Sequence, residues 1–248
     1  MPPRRRNAPV DVNAEEALDL ATAQSENVFL FVPNLIGYAR IILAGISMQY
    51  MSYHPIYCTI AYCVSYLLDA VDGQAARALG QTSKFGAVLD MVTDRCTTSC
   101  LLCYLSSAYP DYALYFQFLI ALDFSSHYMH MYSSLVTGSS SHKIVAGDVS
   151  RILRWYYTDP FTLFVVCVGN ELFFVSLYLM KWTVTPIPTH YLYGLTYAEL
   201  FAILSAPVFL VKNAINVVQL WKASKILVGV DIAERKKARE VATMTKKN

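Results

Sequence analysis

Four aspartates recur at short intervals in a part of the sequence that is otherwise apolar. Asp69 and Asp72 are three residues apart and Asp90 and Asp94 are four apart, so each pair falls on one face of a helix. A carboxylate in the middle of a membrane-crossing helix costs roughly 2.5–3.5 kcal/mol, and four cost on the order of 10 kcal/mol. Clustered carboxylates are the ligands that Mg²⁺ and Mn²⁺ prefer. The pattern therefore predicts a divalent-metal site formed by these four residues.

The residues between the aspartates suit a ligand that carries phosphate. Gly73 and Ala76 keep the surface beside Asp72 low, so that a ligand can approach the backbone closely. Arg77 can hold a phosphate with two hydrogen bonds. Gly86 lies one helical turn before the third aspartate, which predicts a groove above the carboxylates.

Two polar residues interrupt the first apolar stretch. Asn34 and Arg40 lie six residues apart, and an arginine at this depth is costly unless it meets a phosphate or a carboxylate. Two interpretations stay open for both residues: contact with a substrate, or pairing with a neighbouring helix.

The fourth and fifth stretches carry polar residues that could line a second ligand pocket. Asp123, His127 and His130 form a helical stripe, which predicts either an interhelical hydrogen-bonded network or the border of that pocket. Two basic residues on the connection between these stretches, Lys143 and Arg154, are candidates as well. The full set is His127, His130, Lys143, Arg154, Asn170 and Glu171.

The composition places the chain in a lipid bilayer. Of its 248 residues, 55% are hydrophobic and 15% are charged, and the mean hydropathy is +0.37. A chain of this composition is too apolar for a soluble domain of this length. The net charge of only +2 does not indicate a nucleic-acid-binding protein.

Six apolar stretches are long enough to cross a bilayer, at about 20 residues each. An all-α integral membrane protein with a six-transmembrane-helix bundle follows, since backbone polar groups find no water in lipid. The stretches cover residues 28–51, 54–74, 84–108, 112–135, 160–181 and 196–221. Residues 1–27 are predicted as a cytosolic tail with an interfacial amphipathic helix, 28–221 as the catalytic membrane domain, and 222–248 as a basic cytosolic helix or tail.

The distribution of basic residues predicts the orientation in the membrane. With six spans both termini lie on the same side, and short cytosolic segments carry an excess of Lys and Arg. Lys181 alone falls on the opposite side from the termini. On the side of the termini lie Arg4, Arg5, Arg6, Arg77, Lys84, Lys143, Arg151, Arg154 and the basic residues from Lys222 onward. The termini and the aspartate cluster should therefore face the cytosol.

The spacing from Asp69 to Asp94 resembles the signature of the CDP-alcohol phosphatidyltransferase family at all eight of its positions. These positions are Asp69, Asp72, Gly73, Ala76, Arg77, Gly86, Asp90 and Asp94. Further segments, FLFVPNLIGYAR, LDMVTDRC, SSHYMHMYSS and GNELFF, are similar to eukaryotic members of the family that use myo-inositol. This wider resemblance extends from Asn27 to the last apolar stretch.

The resemblance implies the CDP-alcohol phosphotransferase fold and transfer of a phosphatidyl group from CDP-diacylglycerol to myo-inositol, with release of CMP. It implies that Asp69, Asp72 and Asp90 bind Mg²⁺ or Mn²⁺ in a two-metal site, and that Asp94 is the general base and touches the second metal. The residues expected to hold CDP-diacylglycerol are Asp72, Gly73, Ala76, Arg77 and Gly86, with Asn34 and Arg40 as further candidates. A homodimer in the endoplasmic reticulum membrane, among membrane lipids, is implied as well.

Other functions stay open at this point. The same chemistry could use glycerol phosphate, serine or choline as the acceptor, since the signature does not distinguish them. Intramembrane carboxylates also occur in cation transporters, although Arg77 would repel a passing cation. A scaffold that retains a relic of the motif is the least favoured alternative, because the carboxylates are intact and costly.

Overall fold

A computed structural model describes residues 12–22, 27–137, 159–183, 187 and 194–245. Seven α-helices occur in these ranges, and no β-strand is found within them. The helices are α1 (Ala14–Thr22), α2 (Val32–Tyr50), α3 (Pro55–Ala78), α4 (Lys84–Ala108), α5 (Ala113–Val136), α6 (Pro160–Met180) and α7 (Tyr197–Thr245). The predicted all-α class is confirmed.

The helix ends follow from local sequence. Pro55 and Pro160 stand in the first turns of α3 and α6, where their missing N–H groups cost nothing. The Asp159 carboxylate accepts hydrogen bonds from the backbone N–H groups of Phe161 and Thr162 and thereby caps α6. Beyond the end of α3, Gly80 adopts a φ of 66°, a left-handed conformation that favours glycine.

The chain divides into two compact units. In the first, Met1–Cys96, α2 packs against α3, and the hydroxyl of buried Ser47 lies 3.1 Å from the carbonyl oxygen of Cys58. In the second, Thr97–Asn248, α7 packs against both α5 and α6. Phe209 of α7 stacks on Phe173 of α6 with ring centroids 4.3 Å apart.

Large apolar side chains on the long helices face outward. Leu114 is 80% exposed and Phe161 is 72% exposed, which is expected of helices that lipid surrounds. By length and composition, two of the described helices, Phe161–Met180 and Tyr197–Thr245, could cross a bilayer. The total of six spans stays a prediction.

Three helix boundaries differ from the sequence-based expectation by four residues or more. The second predicted stretch ends at residue 74, whereas α3 continues to Ala78. The first predicted stretch begins with a separate 3-10 turn, Val28–Leu30, and α2 starts only at Val32. The last stretch does not end at residue 221, because α7 continues without interruption to Thr245. The division between a membrane domain and a basic tail therefore falls inside one helix. α1 is exposed along its whole length, and its place on a membrane surface stays a prediction.

Candidate active site

The four predicted aspartates converge on one arginine in the first unit. Arg40 of α2 places Nη1 2.6 Å from Asp72 Oδ2 and 2.7 Å from Asp90 Oδ1. Its Nη2 lies 2.6 Å from Asp69 Oδ1 and also contacts Asp94 Oδ1. The sequence left open whether Arg40 meets a phosphate or pairs with neighbouring helices, and in this structure it pairs with α3 and α4.

The side chains of this cluster differ in their exposure. The Arg40 side chain is 2% exposed, whereas those of Asp72, Asp69 and Asp90 are 10%, 31% and 47% exposed. One carboxylate oxygen from each of these three aspartates lies within 4.8 Å of the others. Three converging carboxylates with an open side fit a hard divalent cation that retains water or phosphate ligands.

Asp94 differs from the other three carboxylates. Its Oδ1 contacts Arg40, and its Oδ2 lies 3.3 Å from Nη2 of the next residue, Arg95. We expected a carboxylate with partial freedom, and in the structure both of its oxygens face a guanidinium. The contact with Arg95 is the longer one, so Oδ2 is the less firmly held oxygen.

A cavity of about 210 Å³ lies beside the carboxylates in the first unit. Six of the eight signature positions line it, namely Asp72, Gly73, Ala76, Arg77, Gly86 and Asp90. The Arg77 guanidinium folds over Gly73, with Nη1 3.5 Å from where a Cβ of Gly73 would stand. Asn34 also lines the cavity, so this sequence-based candidate lies at the predicted site.

The short connection between α3 and α4 closes one side of this cavity. Gln81 Oε1 accepts a hydrogen bond of 2.9 Å from the backbone N–H of Val32, at the start of α2, which satisfies one of the free donors of that helix end. Ser83 Oγ accepts a bond of 2.9 Å from the backbone N–H of Gly86 and so caps α4. The Gln81 contact could not be predicted from local sequence, because Gln81 and its partner are 49 residues apart.

Gly86 lines the cavity beside the carboxylates, but the space that a side chain at position 86 would need is already filled. A Cβ at Gly86 would stand 2.7 Å from Asn34 Oδ1 and 3.0 Å from Ser83 Oγ. Asn34 is 1% exposed and donates from Nδ2 to the carbonyl oxygen of Val28 at 2.6 Å. Glycine is needed at position 86 because the Asn34 carboxamide fills the space over it.

The substitution Gly86→Ala should therefore lower the melting temperature. The added methyl group must displace Asn34 or Ser83, and overpacking of this kind costs about 1–3 kcal/mol. Gly229→Ala is the matched control, because a Cβ there meets nothing within 4 Å. Thermal unfolding in detergent measures both variants, and equal melting temperatures would contradict the steric argument.

The amino-acid sequence is similar to those of known proteins. A sequence model for CDP-alcohol phosphatidyltransferase matches residues 30–229. The chain belongs to the CDP-alcohol phosphatidyltransferase family. No solved structure matches the chain.

Several relatives of this CDP-alcohol phosphatidyltransferase carry the name CDP-diacylglycerol–inositol 3-phosphatidyltransferase. The protein of this name from Schizosaccharomyces pombe is 51% identical over 228 residues, covering 87% of this chain and 96% of the relative. The Homo sapiens protein is 47% identical, covering 86% and 98%. The Saccharomyces cerevisiae protein is 44% identical, covering 84% and 90%.

The second unit of this CDP-alcohol phosphatidyltransferase contains a buried polar network between α5 and α7. Lys212 Nζ donates to Asn216 Oδ1 at 2.6 Å, and Asn216 Nδ2 donates to Asp123 Oδ1 at 3.3 Å. His127 Nδ1 lies 2.8 Å from the carbonyl oxygen of Asp123. Gln219 Nε2 donates to another α5 carbonyl oxygen at 3.3 Å. The interhelical network, one of the two interpretations of the Asp123 stripe, is thus present, and His130 lies half-buried on the same helix.

The other residues predicted to line the pocket for the second ligand fall into two groups. Asn170 and Glu171 are buried, and Glu171 Oε1 accepts hydrogen bonds from Thr98 Oγ1 at 3.1 Å and from Asn170 Nδ2 at 3.3 Å. They contribute to a second buried network, and contact with an acceptor stays a prediction. Lys143 and Arg154 lie outside the described residues.

Sequence reasoning missed two charged residues in the apolar stretches of this family member. Arg95 follows Asp94 directly and contacts it, while Lys212 is 5% exposed within α7. Both could have been found from the sequence, because the cost of placing a charged side chain in a membrane, which drew attention to Arg40, applies equally to them.

Proposed function

We propose that the protein transfers the phosphatidyl group of CDP-diacylglycerol to myo-inositol and releases CMP. One observation carries the proposal: six of the eight signature positions line a cavity that lies beside converging carboxylates. Relatives that are 44–51% identical and are named for this reaction support the choice of acceptor.

The cavity residues suit the CDP part of the donor. Arg77 is exposed and lines the cavity, so its fixed charge and forked donors can bind a pyrophosphate oxygen. Gly73 and Ala76 leave the backbone accessible beside it. We assign Asp72, Gly86 and Asn34 to the same binding surface, since all three line the cavity.

Asp69, Asp72 and Asp90 are the proposed metal ligands, and Asp94 completes the cluster. Their oxygens suit Mg²⁺ or Mn²⁺, in one site or in a pair. A bound divalent ion supplies positive charge at the pyrophosphate, where negative charge increases as CMP departs. The chain's part is to hold the carboxylates at fixed positions, which it does through Arg40.

Asp94 is proposed as the general base, acting through Oδ2. This oxygen would take the proton of an inositol hydroxyl while the hydroxyl oxygen forms a bond to the lipid-linked phosphorus. The bond between that phosphorus and the bridging oxygen of CMP then breaks, and its electron pair leaves with CMP. Arg40 fixes Asp94 Oδ1, and Oδ2 has only the longer 3.3 Å contact with Arg95, so Oδ2 is the oxygen assigned to this role.

Location and assembly form part of the proposal. The excess of basic residues on the side of the termini supports a cytosolic active site, and the eukaryotic relatives support the endoplasmic reticulum membrane. Homodimerisation is expected from the family. Gly45 has open space around it and would permit close approach of a second helix.

The decisive experiment compares acceptors. The purified protein in detergent receives CDP-diacylglycerol and Mg²⁺ or Mn²⁺, and CMP release is measured with myo-inositol, serine, glycerol phosphate or choline. Release that depends on myo-inositol is expected, and a sample without acceptor reports hydrolysis. Release with serine alone would show that the acceptor is wrong, whereas no release with any acceptor would argue against the family chemistry.

A further inference from the structure

The guanidinium of Arg40 is buried and contacts four carboxylates. Its side chain is 2% exposed, and each terminal nitrogen contacts two carboxylates. Ser65 of α3 fixes the backbone here, because Ser65 Oγ donates to the Arg40 carbonyl oxygen at 3.1 Å. Burying a guanidinium costs several kcal/mol, so its contacts with the carboxylates must offset that cost.

The position of Arg40 excludes two simpler roles. It is not among the residues that line the cavity, so it cannot contact a phosphate there without leaving the carboxylates. A residue used only for packing would not place all four terminal contacts on carboxylates from two helices. Within the described residues, its buried Nε has no hydrogen-bond partner, so the polar contacts are concentrated at the end that faces the aspartates.

The charge balance of the cluster points to a specific consequence. Four carboxylates carry four negative charges when ionised, and among the residues that the structure describes Arg40 and Arg95 are the cations in contact with them. Two negative charges remain, which one divalent ion neutralises. Asp69 and Asp90 are the two most exposed of the four carboxylates, with 31% and 47% of their side chains exposed.

We propose that Arg40 is a positioning residue that acts as a permanent internal cation of the carboxylate cluster. It holds the four aspartates together before a divalent ion binds. Its positive charge reduces the net negative charge of the cluster, so that the substrate-free site binds one ion. A second ion would enter only with the negative charge of the CDP-diacylglycerol pyrophosphate. The statement about ions rests on the proposed function, whereas the assembly of the aspartates does not.

The test uses the melting temperature of the full chain in detergent, after chelation and again with saturating Mn²⁺. Arg40→Gln should lower the melting temperature of the chelated protein by roughly 10 °C, since it leaves buried carboxylates without their cation. Mn²⁺ should restore about half of the loss or more, because it supplies positive charge to the same carboxylates. Arg77→Gln is the matched control: it removes an arginine from the cavity and should change neither melting temperature.

A double variant tests the assembly without any metal. In the chelated Arg40→Gln background, Asp90→Asn should raise the melting temperature, because it removes one of the mutually repelling carboxylates. The same change in the Arg40 protein should not raise it. Should Arg40→Gln resist expression, it is purified in Mn²⁺ and then chelated.

Three results would overturn the proposal: an unchanged melting temperature for chelated Arg40→Gln, an equal loss with and without Mn²⁺, or a protein that fails to fold even in Mn²⁺.

Electron paramagnetic resonance of Mn²⁺ should count one bound ion without CDP-diacylglycerol and two with it, and two ions without donor would contradict the charge balance. If Mn²⁺ leaves the wild-type melting temperature unchanged, the proposed metal site fails, and the metal-free double variant still decides the role of Arg40.

Discussion

The Asp94→Asn variant is expected to lose CMP release by at least about 100-fold, the lower end of what a general base contributes. An amide keeps the shape of the side chain but cannot accept the hydroxyl proton of the acceptor. Asp94 is not among the residues that line the cavity, so CDP-diacylglycerol affinity should change little. CMP release with saturating myo-inositol and a direct binding measurement with CDP-diacylglycerol test the two parts separately.

The control for this variant is Asp231→Asn, which neutralises an exposed carboxylate of α7. It should retain wild-type turnover. If Asp94→Asn keeps near-normal turnover, another group must take the proton. If it instead loses donor binding along with turnover, Asp94 acts in positioning the donor or its metal.

The Asp90→Asn variant should lose Mn²⁺ binding and, with it, about 1,000-fold in turnover, since a metal contributes several kcal/mol of charge stabilisation. Asp90 is the most exposed of the four carboxylates at 47%, so the substitution should leave the fold intact. Asp90 also belongs to the group of three whose oxygens converge. Electron paramagnetic resonance of Mn²⁺ and CMP release at increasing metal concentration report the two effects.

Asp111→Asn is the matched control, because Asp111 is an exposed carboxylate in the turn before α5. It should bind Mn²⁺ and turn over as the wild type does. Full Mn²⁺ affinity in Asp90→Asn would remove this residue from the metal site. Partial recovery of activity at high Mn²⁺ would instead support a weakened site.

The long helices could be predicted from hydrophobic stretches of sufficient length. The interval 84–108 was predicted with the bounds that α4 has, and α5 and α6 differ from their predictions by single residues. The end of α7 could not be predicted in this way. After Trp221 the sequence becomes polar, but it keeps residues that favour helix, so loss of hydropathy did not coincide with loss of helix.

The aspartates of the site could be predicted because their cost in lipid is high and their spacing is local. The partners of Arg40 and Asn34 could not, because they depend on how helices rotate about their axes. Arg40 is 50 residues from Asp90, and the sequence said only that it required a phosphate or a carboxylate. The role of Gly86 depends in the same way on the distant Asn34 side chain.

The unbroken course of α7 offers a practical handle for electron cryomicroscopy. From Asp231 to Thr245 every residue is exposed and helical, which makes a straight extension of about 22 Å at 1.5 Å per residue. A small membrane protein hidden in a detergent micelle gives few features for aligning particle images. A fusion partner joined to this extension through a continuous helix would be held in a fixed orientation relative to α7. It would then serve as a fiducial mark for particle alignment.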